Sequence, residues 1–546
     1  VNAYVLSLLS ILAIGPASTD AATVADDVVM NAMRDELGRT QDLQLPKSKA
    51  PYFAAYTAVD LEMVSVRASF GALVDSSENR GRMLTPTIRV GDHEQDALGY
   101  VMGDTEAPYE DNYEAIRKRL WLSTDGAYKS AATNYRELMA QQAQRTRDED
   151  APDAFSKEES VIHLEPATVA NFDRKAMETI ATEASAIFRE YPDVQDSGVS
   201  IGGTRHFRRF ASTEGTLVTE GRTVLTVSIS AEGQAKDGEP IHVSRYLQSL
   251  DGTLPAKADV VAAAKSAAEE ILELRNAPVL DDYAGPLLFE GLAGAQIAAH
   301  MIGPQFTATG WGMDLEARMG QRVLPKGFSV IDDPAMTELD GSPVIGTYAV
   351  DDEGVKAERV VLVDDGKLTG LLSTRKPTKK HPESNGHARG GNPMWASPAP
   401  SNLVLRTKKG LSDKALQAKL IKQMKADDLE FAIVVTDIGD SPWSPTRAYR
   451  IDKKGKRERV RLGHMEMLEL RAFRDVQASK SLTQFDFMAM GGNPAMGGMG
   501  GMLAFSAPTT VAAPSLLIKQ VVLHKNKGDK PKPPIYPHPF FATRGK

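Results

Sequence analysis

The chain has 546 residues, 42% of them hydrophobic and 25% charged, with a formal net charge of −8. That length exceeds one ordinary core and calls for two or three domains. The negative balance argues against nucleic-acid binding, and the absence of cysteine excludes disulfides, thiolate metal sites and a cysteine nucleophile while leaving the redox compartment open.

The long apolar run Tyr4–Ile14 is too short to span a bilayer comfortably. Gly15-Pro16 breaks it, and Thr19-Asp20-Ala21 has the small residues of a cleavage site. Residues 1–21 therefore read as a secretory signal peptide, although no Lys or Arg precedes the run. That expectation makes the protein exported, periplasmic or secreted, with no integral membrane segment once the signal is removed. A buried N-terminal helix is the alternative.

Residues 22–110 read as an N-terminal α+β domain. Ala22–Leu43 has apolar residues at helical spacing, and Tyr52–Val59, Val64–Leu73 and Pro86–Val90 read as strands with polar turns between them. Residues 111–278 read as a middle α+β domain. It begins with a long helix over Asn112–Gln144, an acidic connector and a second helix over Asp173–Glu190. Two strand pairs follow, Asp196–Ile201 with His206–Ser212 and Thr216–Glu220 with Thr223–Ala231, turning at Thr213-Glu214-Gly215 and Glu220-Gly221. An Ala-rich helix over Lys257–Arg275 ends before Pro278.

Residues 279–525 read as a β-rich C-terminal domain and 526–546 as a Lys/Pro-rich tail. Arg359–Val363 and Leu368–Leu372 flank Asp364-Asp365-Gly366, the pattern of a hairpin. Pro377–Pro400 is a long irregular segment rich in Gly, Asn, Pro and His. A helix over Leu411–Ala426 precedes strands at Leu429–Asp437, Arg447–Asp452 and Arg457–Leu462, and Met465–Phe473 continues the β pattern. Met488–Met502 is a Gly/Met segment, and Pro514–His524 is a last strand. The fold class expected is α+β and multi-domain, with mixed and antiparallel sheets and flanking helices.

Glu290 ends an apolar run at the head of this C-terminal part, where an unpaired carboxylate is costly. A metal-assisted base would need two histidines on one helical face beside it. Position 289 is Phe, and Ala293, Gly294 and Ala295 stand one turn on. His300 is ten residues away, about 280° around a helix. A paired structural acid and a catalytic residue both remain open for Glu290.

Several stretches together resemble the TldD/PmbA (TldD/TldE) metallopeptidase family, the modulators of DNA gyrase. In order they are Pro86–Asp92, Ser212–Gly215 with Gly221-Arg222, Pro286–Gly291, Asp351–Gly354, Asp365–Leu368, Leu372–Arg375, Ser384–Arg389, Ala399–Asn402 and Pro514–Ile518. The catalytic branch carries HExxxH at the start of its C-terminal domain and a cysteine near the C-terminus. Carried over, the first histidine is Phe289, the glutamate is Glu290 and the second histidine is Gly294, and no cysteine exists. The zinc-ligand positions are degenerate, which is closer to the non-catalytic TldE/PmbA branch, with Glu290 a vestigial base.

The resemblance implies a zinc-less pseudoenzyme subunit involved in proteolysis. It would hold extended or unfolded peptides, bind no cofactor, and form a homo- or hetero-oligomer with a TldD-like subunit. Asn385, His387, Arg389 and Asn402 stand where the family has a Gly-Asn-Gly-Arg-type loop and an Asn-bearing strand, and are the candidate substrate-binding residues. The alternatives are an active metallopeptidase with substitute zinc ligands, such as Glu290 with His300 or the loop histidines, and a stand-alone peptide-binding module. His381 and His387 with Glu383, Asn385 and Asn392 form a candidate metal set. Met488, Met490, Met496, Met499 and Met502 could hold Cu(I), though a plain glycine loop fits as well. Lys453–Arg461 reads as a hairpin with a basic turn, and Ser373, Ser384 and Ser397 lack a nucleophile elbow.

Overall fold

A computed structural model describes residues 27–46, 48–99, 106–143, 150–167, 171–309, 315–391, 396–439, 445–490 and 506–526. The expected signal segment, Asn392, the tail from residue 527 and residues 491–502 of the Gly/Met stretch lie outside those residues. No helix among the described residues is long and apolar enough to cross a membrane.

The N-terminal half is built on one eight-stranded sheet. Pro51–Ser69 pairs with Ala72–Gly91 on one side and with Val194–Ser212 on the other, so a single sheet runs through both N-terminal segments. Val194–Ser212 then pairs with Leu217–Gln234, and that strand with Pro240–Ser249. The sequence suggested three short strands over 52–90 and two short pairs over 196–231. The structure has long continuous strands instead. Phe70-Gly71, with φ of 45° and 73°, makes the first turn. Thr213–Gly215 makes the second, and Glu220-Gly221 is mid-strand, with Arg222 opposite His206.

Alternation divides each long strand between two faces. Ala54, Tyr56 and Ala58 join the core beneath helices α1 (Val28–Thr40) and α2 (Tyr113–Gln142). Val64, Val66, Val199, Ile201 and Val227 join the core beneath α3 (Arg174–Ala186) and α4 (Lys257–Asn276). Three of these helices start as the sequence directs. Asp27, Asn112 and Asp173 each cap a helix by accepting the N–H three residues on. All four helices lie on one face. On the other, Phe53, Ala55, Phe210 and Val218 pack with Phe155 and with Val350 of the C-terminal part.

The C-terminal half is an eleven-stranded mixed sheet. Ser506–His524 runs through its middle, parallel to Asn402–Thr407 and antiparallel to Tyr283–Phe289. Tyr283–Phe289 also runs parallel to Phe431–Asp437. Flanked on both sides, it carries the apolar run Pro286–Phe289 that the sequence shows. Helix α5 (Leu292–Ile297) follows it, and α6 (Asp413–Ala426) covers Leu288, Val434 and Leu517.

The hairpin at Val360–Leu368 and the basic turn between Arg447–Asp452 and Arg457–Val460 form as expected. Met465–Phe473 departs from its β pattern. It holds only the end of the two-residue strand His464–Met465 and then a 3-10 turn over Leu470–Phe473, because Leu470 and Phe473 both point into the core from the turn. Gln477–Met490, not singled out in the sequence, pairs along Ser506–Leu517. The whole is α+β, as the sequence indicates.

Candidate functional site

The segment Phe289–Gly294 decides whether the chain can hold zinc as the resemblance places it. Phe289 is the last residue of its strand and is fully buried in the main C-terminal core. Gly291 then takes φ of 56°, a left-handed turn that starts α5. This turn sends Glu290 away from the core. Its carboxylate accepts two hydrogen bonds from Arg457, at 2.7 and 2.8 Å, and Arg457 also donates to Gln417.

Gly294 is pressed against the central strand. A Cβ there would lie 2.3 Å from the Pro514 carbonyl oxygen. Position 294 has no room for a methyl group, still less an imidazole. The zinc set that the family places here does not fit these residues. Among the described residues no group of three or more His, Asp or Glu is placed to hold a metal ion.

The other expected site residues converge on one place but differ in what they do. Asn402 is buried. Its Oδ1 accepts from Gly346 N–H, and its Nδ2 donates to the Asp333 and Met336 carbonyls. Asn385 accepts from Ser373 N–H and donates to the Leu371 carbonyl. His387 is buried between them, its Nε2 3.0 Å from Asp332 Oδ1 and its Nδ1 3.0 Å from Asn385 Oδ1. Asp332 also accepts from Ser401 N–H and Oγ. These three residues hold loops of the chain itself.

Arg389 is different. It is 2% exposed and lies over the Tyr348 ring at 4.0 Å, and its Nε has no hydrogen-bond partner. His381 instead meets Glu316, Nδ1 to Oε1 at 3.0 Å. The two loop histidines therefore have separate acidic partners. His300 lies beside the Phe485 and Phe487 rings.

Around Arg389 the two halves of the chain bring buried charges together. Arg208 is 1% exposed and donates to Glu220 at 3.1 Å and to the Val350 and Asp351 carbonyls, with Asp352 at 3.5 Å. Asp352 Oδ2 accepts from the Gly390 and Gly391 N–H groups. Burial raises the Glu220 carboxyl, but Arg208, Arg222 and Arg389 outweigh it and bring it down to about 2. Burial and the Arg222 charge push His206 down to about 4, so it is neutral at pH 7. Burial and the Glu353 charge push Asp351 up to about 8, against N–H donors from Val355 and Ala388.

The sequence pointed to Arg389 and to the Gly221-Arg222 pair. It did not point to Arg208 or Glu220. Their signal was charge inside a strand-length run, at opposed positions of one strand pair.

Comparison with known proteins accords with this architecture. Residues 281–449 match the model of the PmbA/TldA metallopeptidase C-terminal domain. A 76-residue stretch is 41% identical to a metalloprotease of Methanothermobacter thermautotrophicus, covering 14% of this chain and 15% of that protein. A 75-residue stretch is 37% identical to a metalloprotease of Archaeoglobus fulgidus, covering 14% and 16%. The matched stretch is thus a small part of those relatives' length.

The crystal structure of TldE from Thermococcus kodakarensis shares the fold over 90% of this chain and all of that one, with a TM-score of 0.57 at 14% identity. The likeness to the PmbA/TldA metallopeptidases thus covers the C-terminal part, residues 281–449, and the likeness to TldE is one of fold.

Proposed function

We propose that this chain is a zinc-less subunit of a peptidase system that holds extended or unfolded peptides and pairs with a TldD-like, metal-bearing subunit. The observation that carries the reading is the close approach at Gly294. With Phe289 in the core, Glu290 paired to Arg457 and no space at 294, no side chain here can hold a metal and no water is activated beside Glu290. Glu290 is then a structural ion pair.

An exposed route for an extended peptide supports the holding role. Pro240–Ser249 pairs on one side with Leu225–Gln234, and no other strand among the described residues pairs with it. A ten-residue sheet edge offers backbone hydrogen bonds with little sequence demand. The apolar N-terminal run supports an exported location.

The test is elemental analysis of the purified chain, a peptide-cleavage assay with a Glu290→Gln control, and binding of an extended, amide-capped peptide. The expected result is no stoichiometric zinc, no cleavage and saturable peptide binding, with cleavage appearing when a TldD-like subunit is added. Stoichiometric zinc with cleavage lost in Glu290→Gln overturns the reading.

A further inference from the structure

Two strands of the N-terminal sheet form a track of cross-strand pairs that runs from half-buried positions to a buried end. On the face away from the helices, Ser200 stands opposite Ser228, Gly202 opposite Thr226 and Thr204 opposite Val224. All six are half-buried. The next pairs inward are His206 with Arg222, then Arg208 with Glu220, then Phe210 with Val218. Arg222 keeps 24% side-chain exposure, whereas Glu220 has 8% and Arg208 1%. The track therefore passes under the C-terminal half at Arg222, beside Asp352 and Arg389.

We propose that the side-chain cluster at the inner end of this track, His206, Arg222 and Arg389, binds a carboxylate presented by a peptide. The proposal rests on the peptide-holding reading for how the carboxylate arrives, and it adds the chemistry that anchors it.

Three observations carry it. First, Arg389 is buried with its Nε unpartnered, and His206 Nδ1 is a second buried nitrogen without a partner. An unmade hydrogen bond on the buried Arg389 guanidinium is costly, so a ligand oxygen here recovers it, and the neutral His206 adds a donor in its Nδ1–H tautomer. Second, positive charge gathers here: three guanidiniums, Arg208, Arg222 and Arg389, act on Glu220. Third, the donors and charges limit which anion suits the cluster. The Gly390 and Gly391 N–H groups already serve Asp352, and the two carboxylates repel a dianion. A planar monoanion fits a guanidinium fork, so a carboxylate is favoured over phosphate.

The experiment uses the full chain at pH 7 and N-acetyl-Ala-Ala, as the free acid and as its C-terminal amide, measured by saturation-transfer NMR. The expected result is that the acid binds tighter by about tenfold or more, the scale of one charge-assisted hydrogen bond. Arg222→Gln and Arg389→Met should each bring that ratio towards one. Arg222 lies at the rim and its variant is expected to fold, so it carries the test if Arg389→Met does not. N-acetyl-Glu amide separates the sources of the carboxylate. Binding like the acid dipeptide assigns a side chain, weaker binding assigns the peptide C-terminus, and both support the proposal. Equal binding of acid and amide, no binding of either, or equal displacement by inorganic phosphate overturns it. The extended amide-capped peptide reports the holding role separately, so either reading can fail alone.

Discussion

Arg375 and Glu214 form a two-pronged ion pair across the halves of the molecule, Nη1 to Oε2 at 2.7 Å and Nη2 to Oε1 at 2.8 Å. Arg375 is 2% exposed, lies over the Phe155 ring at 4.0 Å and donates to the Ser156 carbonyl. Glu214 sits at the turn between two long strands of the N-terminal sheet. Removing one partner of a buried pair leaves the other charge uncompensated, at a cost of about 3–5 kcal/mol. Arg375→Met should therefore loosen the contact between the halves. In urea, the expected sign is a second, earlier transition, since a chain with two large cores need not unfold as one unit. A single unshifted transition would mean that this pair does not hold the halves together.

Glu270 gives the clearest dependence on pH. It lies on α4 and meets Arg245 of the neighbouring strand, with Arg447 and Arg459 of the C-terminal sheet. Burial raises its carboxyl, and the hydrogen bonds of Arg447 and Arg245 with the Arg447 and Arg459 charges bring it down to about 2. The unfolded chain, with an ordinary carboxylate value, binds more protons across that interval, so stability rises with pH through it. The contribution is fully present above the unfolded value and is lost as pH falls towards about 2. Its size is roughly 3 kcal/mol. Acid titration followed by circular dichroism should show Glu270→Gln with a flatter loss below pH ~4.5 than the parent chain. Equal slopes would remove Glu270 from the acid response.

Much of this fold is legible in the sequence, and the misses share a cause. Helices α1 to α4 and α6 show themselves through caps and periodicity. The long strands do not, because polar residues inside them imitate turns. Glu220 and Arg222 look like a loop beside Gly221, yet they stand opposite Arg208 and His206. The charges that meet them from the C-terminal half, Asp352 and Arg389, are more than a hundred residues away, and a local pattern cannot anticipate that. The same limit applies to the expected binding residues. Asn385 and Asn402 are conspicuous as loop amides, but only the folded chain shows their polar atoms bonded to backbone. Arg389 stands out from them through burial and an unpartnered Nε.

Glu290 and Arg457 test the structural role of the degenerate zinc position. Both are about a quarter exposed, at 27% and 29% of their side chains, so water screens the pair and its worth is about 0.5–1 kcal/mol. Glu290→Gln keeps one acceptor for Arg457 and should cost less than Glu290→Ala. Neither should alter binding of an extended peptide. Chemical unfolding and a peptide titration on the same samples check both statements. A large loss of peptide binding with unchanged stability would give Glu290 a role beyond its ion pair.

The last prediction concerns rebuilding the family's zinc motif. Phe289→His with Gly294→His writes two histidines around Glu290, and sequence alone suggests that this restores a metal site. The packing says otherwise. Phe289 fills the main core, and emptying a buried aromatic costs about 3–5 kcal/mol. At 294 the obstacle is backbone, since a Cβ meets the Pro514 carbonyl oxygen at 2.3 Å and Ser515 Cα at 3.1 Å. That carbonyl belongs to the central strand of the sheet, which pairs with Tyr283–Phe289 at Leu516 and Leu517. Moving it away would disturb the strand that carries position 289. Gly294→Ala should already destabilise the chain by about 1–3 kcal/mol or more, and the double histidine variant should be poorly folded and bind no stoichiometric zinc. Thermal unfolding of Gly294→Ala and elemental analysis of the double variant make the comparison. A stable double variant holding stoichiometric zinc would mean that α5 can move off the central strand, and would remove the steric ground for the zinc-less reading.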